Sequence, residues 1–144
     1  MPIVTPAIQT YFDSLYSRIH TAAQISFREV TSEEWHPKQS DCHHNADRWV
    51  GGNNARQRIR GWLTWGIDGL GWCMFVAHSV VGEAGTLYDI TPIDANTPSP
   101  RFLRHEGTAE IFDAMQPEWS WTIYPFITQL SNEPAEFVDQ TTQS

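Results

Sequence analysis

Cysteine is scarce in this chain of 144 residues: there are two, Cys42 and Cys73, far apart in sequence. With no secretory layout ahead of them, they predict reduced thiols rather than a disulfide framework. Positive charge is also short, with nine basic residues against seventeen acidic ones and a net charge of −8. That deficit excludes the basic footprint that nucleic acids and acidic membrane surfaces require. No apolar run approaches the roughly 18 residues of a membrane span. The opening MetProIleValThrPro lacks the charged-then-apolar order of a signal peptide. The expected compartment is therefore cytoplasmic. The expected partner is a small-molecule or peptide substrate, with no nucleic acid and no membrane. Oligomeric state is not legible.

What is present points to one globular domain spanning residues 1–144, with a polar tail from about Ser131 predicted to fray. Apolar residues make up 40% of the chain, and seven tryptophans demand burial or use. Ile8, Tyr11, Phe12, Leu15 and Ile19 recur at helical spacing and predict a helix over 7–23. A short strand is expected over 25–30 and a loop over 31–41. A second helix is expected to begin at Cys42, with Ser40 or Asp41 as its cap and Gly51-Gly52 as its stop. Strand-like stretches follow over 56–67, 70–81, 86–92 and 101–105. Asp68-Gly69 and GlyGluAlaGly (82–85) supply turns, and Asp94, Asn96, Pro98 and Pro100 mark a loop. Thr108 is placed to cap a short helix over 109–116. Helix, helix, then antiparallel meander is an α+β order.

The stretch SerAspCysHisHisAsn (40–45) gathers most of the reactive side chains. Cys42 at a helix N-terminus faces backbone N–H groups that favour a thiolate. A hairpin centred between Glu83 and Ala84 sets Val81 against Thr86 and, by the same count, His78 against Asp89. Direct cross-strand partners have Cβ atoms about 4.5–5.5 Å apart. An imidazole beside a carboxylate at that distance is fixed in tautomer and supported as imidazolium. A sulfur, a base and a group that orients the base are the three parts of a thiol nucleophile. Cys42, His78 and Asp89 supply them in that order. The backbone N–H of Cys42 or His43, or a side-chain amide of Gln39 or Asn45, is a candidate oxyanion donor. Trp62 or Trp72 is a candidate wall for the pocket.

Aspartate-cysteine opening a helix, then HisSerValVal (78–81), then GlyThrLeuTyrAspIleThrPro (85–92), resembles the transglutaminase-like branch of the papain-like thiol-enzyme superfamily. The chain is also similar to small bacterial and phage proteins that carry a Cys, then Gly-Trp (61–62), then H-x-V (78–80), then D-x-T-P (89–92). The resemblance spans roughly residues 40–92. It implies a papain/transglutaminase-like core and acyl chemistry on amides or thioesters through a covalent thioester, with no cofactor. His43 and His44 depart from the small residues or tryptophan usual around that cysteine.

Competing readings exist for the same residues. Cys42, His44, His78 and Asp89 are all residue types that ligate zinc. They make a zinc hydrolase or a structural zinc protein the alternative, although no C-x₂-C or H-x₃-H spacing is present. A third reading is a non-enzymatic protein-binding module. Asp89 is equally suited to capping the turn before Pro92. Arg56, Arg58 and Arg60 alternate along one strand face, as a solvated face or an anion site. Cys73, inside GlyTrpCysMetPheValAla, reads as a packing residue.

Overall fold

The computed structural model describes residues 3–67, 71–93, 100–115 and 118–126. The expected turn at Asp68-Gly69, the loop residues Asp94, Asn96 and Pro98, and the tail from Ser131 lie outside the described residues. The architecture is α+β, three α-helices with an antiparallel five-stranded sheet.

Helix α1 (Pro6–Ser17) starts where Thr5 accepts a hydrogen bond from the Ile8 N–H and Pro6 opens the first turn. It ends six residues before the expected boundary. A single 3₁₀ turn (Ile19–Thr21) then leads into extended chain. The strand expected over 25–30 is reduced to one parallel bridge, Phe27 to Asp89. Helix α2 (Cys42–Val50) begins and ends as the sequence predicts. Asp41 occupies the cap position without capping through its side chain, and its carboxylate meets His44 instead.

Strands β1 (Arg56–Ile67) and β2 (Trp72–Glu83) form a twelve-residue antiparallel pair that is the spine of the sheet. β4 (Arg101–Arg104) pairs with β1 along Gly61–Thr64. That approach is so close that a Cβ on Gly61 would sit 2.5 Å from the Leu103 carbonyl oxygen and the Phe102 ring. Two short strands share the other edge of β2: β3 (Thr86–Tyr88) at Val81–Glu83 and β5 (Trp121–Tyr124) at Cys73–Val76. β5 was not expected from the sequence. Helix α3 (Ala109–Met115) begins with the Thr108 hydroxyl accepting from the Ile111 N–H, as anticipated.

The β2–β3 hairpin differs from the expected register. Val81 faces Tyr88 and Gly82 faces Leu87, so Ala84 and Gly85 form a two-residue turn. Both have positive φ, 53° and 78°, as a type I′ turn requires. The slip is two residues, an even number, so every side chain keeps its predicted face. Asp89 is therefore not the direct partner of His78 but lies diagonally from it on the same side.

Two clusters lie on the face of the sheet that carries Phe75, Ala77 and Val81, and a third lies on the face that carries Val80. Phe12 and Leu15 of α1 pack with Trp62, Phe75 and Phe112. Ala46 of α2 packs with Val81, Tyr88 and Ile90. Ile59, Val80 and Phe102 form a third cluster. The alternating arginines divide: Arg58 is half-exposed on the solvated side, whereas Arg56 and Arg60 are covered where α2 lies on β1. Arg56 stacks 3.9 Å over the Trp49 ring and donates to its carbonyl, while Arg58 and Arg60 meet Asp47.

Candidate active site

The gap between β3 and β5 on the edge of β2 is where α2 arrives. β5 pairs up to Val76, and the Ala77 N–H is taken by the Ser120 carbonyl; β3 resumes only at Val81. Cys42, the first residue of α2, reaches this gap with its sulfur 3.9 Å from the Ala77 carbonyl oxygen. Asn45 fixes the approach. It is fully buried and donates to the Lys38 carbonyl (2.8 Å) and the Thr91 hydroxyl (3.0 Å), while accepting from the Lys38 N–H. The segment before α2 and the segment after β3 are thus tied to one amide. That amide is spoken for, and Asn45 is a strut beneath the site rather than a donor within it.

His78 and Asp89 meet as the sequence predicts, by a diagonal route. His78 Nε2–H donates to Asp89 Oδ2 at 2.7 Å, and both side chains are largely buried. The second carboxylate oxygen, Oδ1, accepts from the Thr91 N–H at 3.0 Å. Asp89 therefore does both jobs considered for it, closing the turn before Pro92 and orienting the imidazole. Its own backbone is clamped outside the hairpin, with its N–H bonded to the Ser26 carbonyl and its carbonyl to the Arg28 N–H. With Nε2 committed to the carboxylate, Nδ1 of His78 is the nitrogen left for a neighbour.

The electrostatics follow from this packing. Burial alone would push the Cys42 thiol up. Hydrogen bonds from His43 and His78, with the positive charge of the His78 ring, outweigh it and bring the thiol down to about 6. Burial likewise works against a charged His78. Asp89 and the Cys42 sulfur overcome that cost and lift the ring to about 9. Between these values a thiolate faces an imidazolium. Cys73 is the internal contrast: it is buried in the α1-facing core, and desolvation raises its thiol to about 11.

A cleft of about 590 Å³ opens at the sulfur. Gln39, Cys42, His43 and His78 lie on its polar side, and Trp65, Trp121, Leu63 and Ile93 lie among its apolar walls. No Lys, Arg, Asp or Glu side chain lines it among the described residues. A second cavity of about 320 Å³ runs on past Asp89 and shares Leu63, Thr91 and Ile93 with the first.

Of the residues singled out in sequence, Cys42, His43, His78, Asp89 and Gln39 converge. Trp62 does not: it is fully buried on the α1 side and donates its indole N–H to Tyr11. The cleft tryptophans are Trp65 and Trp121 instead. Trp65 sits on β1, but Trp121 sits on β5, whose four residues carry too little pattern to announce a strand. His44 points outward to Asp41 at 3.2 Å, away from the other three residues of the zinc set. No group of three or more His, Cys, Asp or Glu side chains converges as a metal centre would need, among the described residues. No helix among them is long and apolar enough to cross a membrane. Comparison of the chain with protein-family models, curated proteins and solved structures found no match.

Proposed function

We propose that the protein is a thiol-dependent acyl-transfer enzyme using Cys42 as nucleophile, His78 as proton carrier and Asp89 as the group that orients it. The observation that carries this reading is the 2.7 Å His78–Asp89 bond in the gap where α2 delivers the only cysteine that opens into a cleft among the described residues. A helix-borne cysteine meeting a histidine and an aspartate from strand segments is also the arrangement that the resemblance to papain-like and transglutaminase-like enzymes implies.

The chemistry is that of an amide or thioester donor. The Cys42 thiolate attacks the carbonyl carbon, a C–S bond forms, and the carbonyl π pair moves to oxygen. Collapse of that oxyanion expels the amine or thiol, which takes the proton from His78 Nδ1. Water or an acceptor amine then attacks the acyl-thioester and gives its proton to the same nitrogen. The C–S bond breaks with its electron pair on sulfur, and the starting ion pair returns. Asp89 keeps the ring oriented and supports its charge without taking the proton. The cleft walls carry Trp65 and Trp121 and no Lys, Arg, Asp or Glu among the described residues, which favours an apolar acyl group over an ionic one.

The test is to trap the intermediate. The protein is incubated with a panel of activated acyl thioesters, quenched in acid and mapped by mass spectrometry. An acyl mass on the Cys42 peptide, absent from Cys42→Ala, supports the assignment. A panel that leaves Cys42 unmodified while alkylation shows it accessible would overturn it, and favour a binding module.

A further inference from the structure

The second histidine beside Cys42 is backed by a buried chain that the triad does not use. His43 Nδ1 lies 2.6 Å from the Ser79 hydroxyl. Ser79 in turn accepts from Arg60 Nη1 at 2.9 Å. Arg60 is 5% exposed along its side chain and is held on its other arms by Asp113 (Nε, 3.1 Å) and Asp47 (Nη2, 3.1 Å). Four elements meet here. Arg60 and Ser79 are direct partners across β1 and β2, His43 and Asp47 are one turn apart on α2, and Asp113 comes from α3. Phe112 packs edge-on against the His43 ring, with centroids 5.6 Å apart.

Hydrogen counting fixes the direction of this chain. Arginine can only donate, so Arg60 occupies an acceptor lone pair of Ser79. Ser79 is 1% exposed and has one proton to place. His43 Nδ1 is the acceptor the structure offers for it. A buried hydroxyl proton left without an acceptor would lose its hydration with nothing to replace it. Nδ1 must then be bare, and the ring proton sits on Nε2. From these contacts we infer that Ser79 and Arg60 are positioning residues that hold His43 as the Nε2–H tautomer, making it a fixed N–H donor in the Cys42 cleft. The two rings are thereby divided in role. His78, backed by a carboxylate, carries the moving proton. His43, backed by a hydroxyl and a guanidinium, offers a proton it keeps, first to the sulfur and then to the carbonyl oxygen that gains charge. This division rests on the nucleophile reading above.

Nitrogen-15 NMR of the ring-labelled native protein, at a pH above the ordinary imidazole value of about 6.5, reads the tautomer directly and needs no variant. The expected result is a bare Nδ1 and a protonated Nε2 on His43; a proton on Nδ1 overturns the inference. Ser79→Ala should mix the tautomers and raise the midpoint of Cys42 alkylation by iodoacetamide by about one pH unit. Ser79→Thr, which keeps the hydroxyl, should restore both. Unmoved tautomer and midpoint in Ser79→Ala would likewise overturn it. A native alkylation midpoint near the ordinary thiol value of about 8.5 would instead sink the nucleophile reading, whatever the tautomer.

Discussion

Replacing Asp89 by Asn removes the group that makes the His78 imidazolium affordable. The ring is lifted to about 9 against a burial cost that alone would push it below its ordinary value. The lift above about 6.5 corresponds to roughly 3 kcal/mol of preference for the charged ring, to which Asp89 is the largest favourable contributor. With an amide in its place, burial wins and His78 falls under about 6.5. Cys42 then loses the cation that held it near 6, and its thiol returns towards about 8.5. The window of the ion pair, open between about 6 and about 9 in the native protein, closes. Asparagine keeps the acceptor oxygen for the Thr91 N–H, so the turn at 89–91 survives and circular dichroism should be unchanged. The assay is the pH profile of Cys42 alkylation, resolved by peptide mass. The midpoint is the quantity to read, because thiolate nucleophilicity falls with thiol pKa and partly cancels the change in rate at any single pH. A shift upward of about two units is expected. Superimposable profiles for the native protein and Asp89→Asn would refute the argument.

Other outcomes follow from the same geometry. Turnover of an acyl donor should be bell-shaped, rising as the Cys42 proton leaves near 6 and falling as His78 loses its proton near 9; alkylation needs no acid and should rise through 6 and stay high. Exhaustive chelation should leave the alkylation midpoint in place, and a midpoint that moves on chelation would assign the sulfur to a metal instead. Ala84 sits at φ 53° in the β2–β3 turn, so Ala84→Gly relieves a left-handed alanine, and that relief of roughly 1–2 kcal/mol, less the chain entropy a glycine adds when unfolded, should stabilise the protein against urea by up to about 1 kcal/mol. Gly61→Ala should do the reverse, by about 1–3 kcal/mol, since the new methyl meets backbone on β4.

Much of this site was legible because parity is forgiving. Glycines at 82 and 85 announce a hairpin, and an error of two residues in its register still leaves His78 and Asp89 on one side. Helix α2 was legible at both ends, since its start and its Gly51-Gly52 stop are local signals. The relay behind His43 was not. Arg60 looks like its neighbours Arg56 and Arg58 in sequence, and only the arrival of α2 and α3 over β1 buries it. Asn45 was misjudged for the same reason: an amide near a nucleophile suggests a donor, whereas three tertiary bonds make it a strut. The His43–Asp47 spacing of one helical turn, facing the alternating arginines, is the sequence signal that carried the missing information.

Cys42 should rest as a thiolate at neutral pH. Ultraviolet absorbance of the thiolate, followed through a pH titration as the difference between the native protein and Cys42→Ala, measures it without substrate or label. A step with its midpoint near 6 is expected, with Cys73 contributing nothing to the difference. A step at or above the ordinary thiol value of about 8.5 would contradict it.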